Sequence, residues 1–323
     1  MHVLNLTTNA EARFFKLQVR ALESRGVTCT TLSVPGSAMN GATRSAADYL
    51  RFFPRVLGRS LGSYDIVHAN YGLTAPMALA QPTRPIVLTL WGSDLHGRYG
   101  ALSRACARFF DEVIVMSEPM RDELGRDCTV IPHGVDLELF RPMPRDEARA
   151  ELGWDESAYH VLFPYDTDRS VKDYPRAKRV VDAVDATLDA PVELHTVSGL
   201  PHSRMPVYMN AAGALLLTSK REGSPNAVKE ALACNVPVVS TDVGDVRERL
   251  DGVEGTAVCR SDDELIEGLA NVLRRGGRSD GRAAMRELSL ERMGEGIYSV
   301  YERVLSKGER SEAEGAGFEP REA

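Results

Sequence analysis

The feature that most constrains the fold is an alternation of short apolar segments with longer amphipathic ones, which runs through the chain twice. Each apolar segment has the length and composition of a strand, and several are followed by apolar residues at helical spacing, as in 10–26. Strands that alternate with helices predict parallel sheets with helices on both faces. The predicted strands are 2–6, 29–34, 65–69, 85–90, 112–117 and 128–132, then 160–165, 191–199, 213–219, 236–241 and 255–259.

A charged segment that opens with two prolines, 141–160, separates the two runs of strands and predicts an interdomain connection with a short helix. A chain of 323 residues is also more typical of two domains than of one. We therefore expect an N-terminal domain over 1–142, a C-terminal domain over 143–284, and a last helix, 285–306, that packs back toward the first domain. The tail, 307–323, is charged and nearly free of apolar residues, which predicts disorder.

Composition excludes several classes of function. The net charge of −7 argues against nonspecific nucleic-acid binding, which depends on neutralising phosphates. Five scattered cysteines without a Cys-x-x-Cys pair form neither a disulfide framework nor a zinc pattern. No His/Cys cluster offers an obvious metal site, and no cofactor is expected. The chain shows no signal-peptide pattern and no apolar run of membrane-spanning length. We expect a cytoplasmic protein, with peripheral contact at the inner membrane face left open.

One stretch, 221–245, carries a pattern suited to binding phosphate. A buried strand ends before it, and Ser224 with Pro225 predicts the N-cap and first residue of a helix over 225–234. The main-chain N–H groups of Asn226 and Ala227 would then lack intrahelical partners and lie at the positive end of the helix dipole. Gly223 leaves room for a ligand to approach. The helix start is therefore a predicted anion site.

Two glutamates, Glu222 and Glu230, flank this helix start. Carboxylates repel phosphate but accept hydrogen bonds well from sugar hydroxyls. A ligand with phosphates in the middle and a sugar at each end, such as a nucleotide-diphosphate sugar, fits the spacing. The alternative interpretation is a capped, acidic surface helix.

The stretch resembles the donor-site motif of retaining glycosyltransferases of the GT-B fold, in glycosyltransferase family 4 (glycosyl transferases group 1), with its Glu-x7-Glu signature. Segments 65–80, 112–120, 130–142 and 208–223 are also similar to segments of that family, in the same order. The resemblance implies two Rossmann-like, doubly wound parallel-sheet domains facing a central cleft, with the acceptor on the first and the nucleotide sugar on the second. It also implies hexosyl transfer with retention of anomeric configuration and without an essential metal.

The resemblance further implies roles for individual residues. Glu222 would contact the transferred sugar and stabilise charge near its anomeric carbon, and Glu230 would hold the nucleotide ribose. The segment 223–227 would present the helix start to the diphosphate. Arg169 and Lys172, in the loop after the first strand of the second domain, would neutralise the leaving diphosphate as catalytic cations. They stand three residues apart, which is closer than is usual in the family.

The first half departs from the family pattern at two loops. Trp91 stands where a histidine is common, and it could stack on a sugar or simply pack. Asp94 and His133 are further candidates for the acceptor or sugar side, whereas His96 is interpreted as a polar loop residue. Thr8-Asn9 replaces a frequent Gly-Gly pair, so the acceptor chemistry is expected to differ from that of the better-known branches.

The segment 44–62 places four arginines on one helical stripe beside aromatic residues, and Pro54 within it predicts two short helices. A basic stripe of this kind can contact an anionic membrane or a lipid-phosphate acceptor. The alternative is a packed surface helix with solvated arginines. The four are Arg44, Arg51, Arg55 and Arg59.

The expected function is therefore sugar transfer from a nucleotide-diphosphate sugar to a glycan, lipid-linked or small-molecule acceptor. The alternatives are another GT-B enzyme, such as a nucleotide-sugar epimerase, and a noncatalytic nucleotide-sugar-binding partner subunit. A hydride-transferring dehydrogenase is disfavoured because no Gly-x-Gly-x-x-Gly follows the first strand.

Overall fold

In a computed structural model, which describes residues 1–35 and 44–316, the alternating pattern forms two parallel sheets, each in its own unit. The first unit contains residues 1–133 and the chain from Leu290 onward, and the second is Gly134–Ser289. All eleven predicted strand segments overlap observed strands. The predicted class, two doubly wound α/β domains, is confirmed.

The first sheet has six strands in the order β2-β1-β3-β4-β5-β6, and every neighbouring pair is parallel. Its inner strands are buried and rich in Val, Ile and Leu, as expected for a parallel sheet covered on both faces. The strands are β1 (His2–Thr7), β2 (Thr28–Ser33), β3 (Ile66–Ala69), β4 (Ile86–Thr89), β5 (Glu112–Val115) and β6 (Thr129–Val130).

In the described parts of the chain, six α-helices lie between these strands. They are α1 (Arg13–Glu23), α2 (Ala46–Ser60), α3 (Ala75–Ala80), α4 (Ser93–His96), α5 (Gly100–Ala107) and α6 (Glu118–Leu124). Helix α2 corrects one prediction, because it is a single helix with Pro54 inside it and not two short ones. Phe52 and Val56, on either side of the proline, are both buried in the core, and this packing offsets the missing hydrogen bond.

The second sheet has five parallel strands in the order β11-β10-β9-β7-β8. Its strands are β7 (Tyr159–Phe163), β8 (Val192–Thr196), β9 (Ala214–Leu217), β10 (Val238–Thr241) and β11 (Ala257–Cys259). Its helices are α7 (Arg145–Leu152), α8 (Tyr174–Asp185), α9 (Met205–Ala211), α10 (Asn226–Ala233), α11 (Val246–Leu250), α12 (Asp262–Arg275) and α13 (Arg282–Met285). The strand order reverses between β7 and β9, which makes this pair the topological switch point of the sheet.

The last helix, α14 (Leu290–Ala316), belongs to the first unit. It buries Ile297 and Tyr301 in the core of the first sheet, and the Tyr301 hydroxyl lies 2.7 Å from Nδ1 of the buried His68. Burial lowers the pKa of His68 to about 3, so the imidazole is neutral in this contact.

The limits of the units differ from those expected at 142/143 and 284/285. Val135 and Phe140 pack in the core of the second unit, which moves that boundary to 133/134. Helix α14 continues past residue 306 into the segment predicted to be disordered, because extending a formed helix needs no new nucleation. Residues 317–323 of that tail lie outside the described part of the chain. Among the described helices, none combines the length and the apolar character needed to cross a bilayer.

Candidate active site

Three loops meet at the carboxyl edge of the second sheet. They follow β7, β9 and β10, which are neighbours in the strand order and all run parallel. Open α/β sheets bind ligands at this edge, at the switch point. The loops, 164–173, 218–225 and 242–245, contain both predicted cations, the first glutamate and the segment before α10.

The centre of the site is a buried ion pair between the first two loops. The Lys172 ammonium contacts the Glu222 carboxylate and lies 3.8 Å from the ring centroid of Tyr165. Burial lowers the pKa of Lys172, and the negative charge of Glu222 opposes that shift. The Thr218 hydroxyl donates to the Lys172 carbonyl at 3.0 Å, which holds the two loops together. The structure thus joins two predicted catalytic residues that are 50 positions apart.

Tyr165 is a site residue that sequence analysis missed. Its hydroxyl is buried and has no hydrogen-bond partner within the described residues. Burial raises its pKa well above the usual value, and the charges of Glu222 and Glu230 add to the shift, so the phenol remains a neutral donor. A buried donor without a partner in the protein is suited to a ligand or a water. Its position two residues after β7, where parallel sheets bind ligands, is the sequence signal that could have identified it.

Arg169, the other predicted cation of the β7 loop, has different surroundings from Lys172. Arg169 is exposed, and its carbonyl accepts the Lys172 main-chain N–H at 2.8 Å. The loop also contains an Asp-x-Asp sequence, in which Asp166 Oδ1 accepts the main-chain N–H of Asp168 at 2.9 Å. Both aspartates are exposed, and the hydrogen bond shapes the turn.

The helix start differs in detail from the prediction. Helix α10 begins at Asn226, and Pro225 is its N-cap residue. Ser224 was expected to cap the helix, but its hydroxyl donates to Asp245 Oδ2 at 2.7 Å and accepts from Lys229 Nζ at 3.1 Å. Its side chain therefore connects the loop to the carboxylate after β10, which a local capping rule could not reveal.

Lys229 adds a second buried cation at this helix. It is 1 % exposed, and burial lowers its pKa to about 8, while the charge of Asp245 opposes the shift. Asn226 Oδ1 is also buried and has no hydrogen-bond partner among the described residues. Gly223 and Ala227 are buried beside it. The start of α10 therefore combines unpaired main-chain donors with a nearby positive charge.

Gly244 supports the Glu222 loop from the β10 side. Its φ is +57°, and a Cβ atom there would lie 2.6 Å from the Gly223 carbonyl oxygen and 2.9 Å from that of Glu222. Only glycine allows this approach, so the loop after β10 sets the position of the loop that holds Glu222. Gly244 lies within the stretch 221–245, which carries the Glu-x7-Glu motif. Its contact with the Glu222 loop nevertheless depends on β9 and β10 being neighbours in the sheet.

Glu230, the second glutamate of the motif, lies on α10 and is 7 % exposed. Nε2 of His202, from the turn that follows β8, lies 3.3 Å from its Oε1. The His202 ring packs against Phe140, with centroids 5.1 Å apart. Glu230 is thus bordered by the turn after β8, whereas Glu222 is bordered by the loop after β7. This agrees with separate polar contacts for the two glutamates.

The acceptor-side candidates lie in the first unit. Trp91 is half-buried, its ring centroid lies 4.5 Å from that of Phe14, and its indole N–H donates to the Asn70 carbonyl at 3.2 Å. His133 Nε2 lies 3.1 Å from the Phe14 carbonyl oxygen. Trp91 and His133 thus both pack around Phe14, and the contacts of Trp91 are those of a packed side chain.

Asp94 organises the loop after β4. Its carboxylate accepts main-chain N–H groups of Trp91 at 2.8 Å, Gly92 at 2.9 Å and Gly72 at 3.0 Å. Burial raises its pKa to about 6, against the opposing effect of these hydrogen bonds. His96 Nδ1 lies 2.6 Å from a Glu123 carboxylate oxygen, so its partner is a surface residue.

The structure assembles one group with metal-ligand chemistry among its described residues, which the sequence analysis did not anticipate. His160, Glu193 and His195 place one ligand atom each within 4.8 Å of one another, across β7 and β8. The two imidazoles already share a hydrogen bond of 2.8 Å, and the Trp154 ring stacks on His195 at 3.6 Å. Burial lowers the pKa of both histidines, so this is a neutral, packed pair.

Comparisons with known proteins agree with this geometry. Residues 1–139 match the family model described as Glycosyltransferase Family 4, and residues 174–275 match Glycosyl transferases group 1. Sucrose-phosphate synthase from Thermosynechococcus elongatus is a structural neighbour with a TM-score of 0.76 at 17 % identity, covering 95 % of this chain and 100 % of the other. The Anabaena protein Alr3699/HepE, solved with UDP, gives a TM-score of 0.70 at 15 % identity, covering 94 % and 100 %.

The two parallel-sheet domains and these neighbours define the GT-B fold. The two matches are both to glycosyltransferase family models, one in each unit. A protein named for teichuronic acid biosynthesis, the glycosyltransferase TuaC of Bacillus subtilis, is 32 % identical over 213 residues, 56 % of this chain and 54 % of its own. D-inositol 3-phosphate glycosyltransferase 1 of Catenulispora acidiphila is 29 % identical over 269 residues, 64 % of each chain. The chain thus spans 54 to 64 % of the length of these curated relatives.

Proposed function

We propose that this protein transfers a sugar from a nucleotide-diphosphate sugar to an acceptor. The observation that carries the proposal is the Lys172–Glu222 pair at the switch point of the second sheet, beside the start of α10. Such a site offers positive charge for phosphates and carboxylates for sugar hydroxyls within one set of loops. The likeness to family models for glycosyltransferases supports it, as does the UDP-glucose complex of Alr3699/HepE.

The diphosphate of the donor would lie at the start of α10. The main-chain N–H groups of Asn226 and Ala227 would donate to its oxygens, and Lys229, on the same helix, would supply positive charge. When the glycosidic bond breaks, its electrons remain on the departing phosphate oxygen. Lys172 and Arg169 would stabilise that charge, which is the role expected of preorganised cations in a leaving-group site.

Glu222 would act on the sugar. Its carboxylate can accept hydrogen bonds from sugar hydroxyls and stabilise positive charge near the anomeric carbon, while Lys172 holds it in place. The Tyr165 hydroxyl, a buried donor, is placed to meet a ligand oxygen in the same loops. We propose retention of configuration on the family resemblance. We propose metal independence because the cations Lys172, Lys229 and Arg169 supply the charge that a divalent ion would.

Glu230 would bind the nucleoside end of the donor. Its carboxylate lies further along α10, near His202, where it could accept both ribose hydroxyls. The two glutamates would therefore have separable effects, one on the chemical step and the other on nucleotide affinity.

The test compares Glu222→Gln with Glu230→Gln, and uses Glu254→Gln as a control. Glu254 is also paired with one cation, Arg275, but its side chain is 68 % exposed. A thermal-shift panel of UDP-, GDP- and ADP-sugars first identifies the donor. Glu222→Gln should then lower kcat about 100-fold or more while nucleotide affinity stays within a few-fold. Glu230→Gln should mainly weaken nucleotide binding. Full transfer by Glu222→Gln would refute the assignment.

The same assay separates the alternatives. Donor turnover that needs no acceptor would indicate an epimerase-type reaction, and donor binding without turnover would indicate a noncatalytic partner subunit. Repeating the assay in EDTA tests metal independence, for which we expect unchanged transfer. The opposite result is that activity is lost in EDTA and restored by added metal, with His195→Ala giving the same loss. That result would assign a metal-binding role to His160, Glu193 and His195.

A further inference from the structure

A large cavity lies in the first unit, at the carboxyl edge of the first sheet. Its volume is about 970 Å³, which is at the upper end for a binding site of a small molecule. Thr8, directly after β1, and Tyr71, in the loop after β3, line it. The strand order reverses between β1 and β3, so this cavity is at the switch point of its sheet.

The lining of this cavity is mainly apolar and aromatic. Such side chains come from α2, α3, α5 and the loops beside them, and include Tyr49, Leu50, Phe53, Leu73, Met77 and Leu102. Several remain open to solvent, since Leu50 is 74 % and Leu102 41 % exposed. An acceptor that is only a free sugar would find few polar partners here, whereas an apolar chain would cover this surface.

The charged side chains that line the cavity are basic. They are Arg44 and Arg98, and none of the described lining residues is a carboxylate. Arg98 is exposed, with its guanidinium carbon 5.7 Å from the Tyr99 ring centroid. Two guanidinium groups at an apolar cavity match a ligand that carries phosphate on an apolar body.

Helix α2 explains why the cavity and the basic stripe are separate surfaces. Phe52 and Val56 point into the core, while Leu50 and Phe53 line the cavity. Three of the four arginines predicted as one stripe are exposed and do not line the cavity, so only Arg44 combines with it. The basic stripe therefore divides into one cavity residue and an outer group of Arg51, Arg55 and Arg59.

We propose that this cavity binds the acceptor, and that the acceptor is a lipid phosphate: an apolar chain with a phosphate or diphosphate head. The chain covers the Leu50, Phe53 and Leu102 surface, and the head pairs with Arg44 and Arg98. This inference rests on the proposed function and names the acceptor class for it. It is chosen over contact with a membrane surface because the apolar residues line a concave cavity.

The experiment measures binding of farnesyl diphosphate, used below its micelle concentration, by isothermal titration calorimetry with the nucleoside diphosphate of the identified donor at saturation. The saturating nucleotide occupies the donor site and prevents the probe's diphosphate from binding there. We expect binding that inorganic pyrophosphate does not displace. Leu50→Asp should weaken it at least tenfold, because it places a charge against the chain. Arg44→Ala with Arg98→Ala should weaken binding of the diphosphate but not that of farnesol.

The matched control is Leu61→Asp. Leu61 ends the same helix and is also 74 % exposed, but it does not line the cavity, so its variant should bind like the unmodified protein. Equal binding by the Leu50→Asp and Leu61→Asp variants would overturn the proposal. Binding only to phosphatidylglycerol vesicles, lost in Arg51→Glu with Arg55→Glu, would overturn it in favour of a membrane surface. Nucleotide binding and donor turnover are measured separately, so failure here leaves the proposed function intact.

Discussion

Adding one methyl group at Gly244 should displace the loop that carries Glu222. The new Cβ would lie 2.6 Å from the Gly223 carbonyl oxygen. A carbon–oxygen contact needs about 3.3 Å, so one of the two backbones must move by roughly 0.7 Å. The two groups in contact are backbone atoms of the loops that follow the buried strands β9 and β10. No flexible side chain can therefore move aside to make room for the methyl group.

The consequence should appear in catalysis more than in stability. The left-handed conformation costs alanine about 1–2 kcal/mol of folding free energy, wherever it occurs. Displacing Glu222 and its partner Lys172 by most of an ångström should lower kcat/KM for the donor by about 10- to 100-fold.

Gly252→Ala is the matched control for Gly244→Ala. Gly252 has a φ of +70°, but no atom of the described residues lies within 4 Å of its added Cβ. Both variants should lose stability in chemical denaturation, Gly244→Ala more than Gly252→Ala because its backbone must also shift, while only Gly244→Ala loses catalytic efficiency. Equal kcat/KM in the two variants would refute the view that Gly244 positions the Glu222 loop.

Two further predictions concern the buried lysines. Lys172→Met keeps the packing on Tyr165 but removes the cation, so kcat should fall about 100-fold or more in the transfer assay; an unchanged kcat would contradict its role at the leaving group. Lys229 has a pKa near 8, so its charge is present below that pH and is lost as pH rises above it. Because an anion favours the charged lysine, calorimetry with the nucleoside diphosphate of the donor identified in the thermal-shift panel should show affinity falling between pH 8 and 10, whereas Lys229→Met should bind more weakly at pH 7 and show no such fall. Parallel pH profiles would argue against a phosphate-binding role for Lys229.

Much of the fold could be predicted because strand and helix periodicity are local properties. The eleven strands follow from short apolar runs, and α10 (Asn226–Ala233) lies within one residue of the predicted limits, 225–234. Where the predictions failed, tertiary packing overrode a local rule. Pro54 does not break α2, since flanking residues are buried, and Ser224 does not cap α10, since Asp245 takes its hydroxyl.

The sequence by itself determined the class of fold and the Glu-x7-Glu motif, because Glu222, the helix start and Glu230 lie within one continuous stretch. The tertiary structure alone decided which distant groups complete the site. Lys172 reaches Glu222, and Gly244 reaches the same loop, because β7, β9 and β10 are neighbours in a parallel sheet. Strand order places loops far apart in sequence at one edge, and the periodicity of a single chain carries no record of that order.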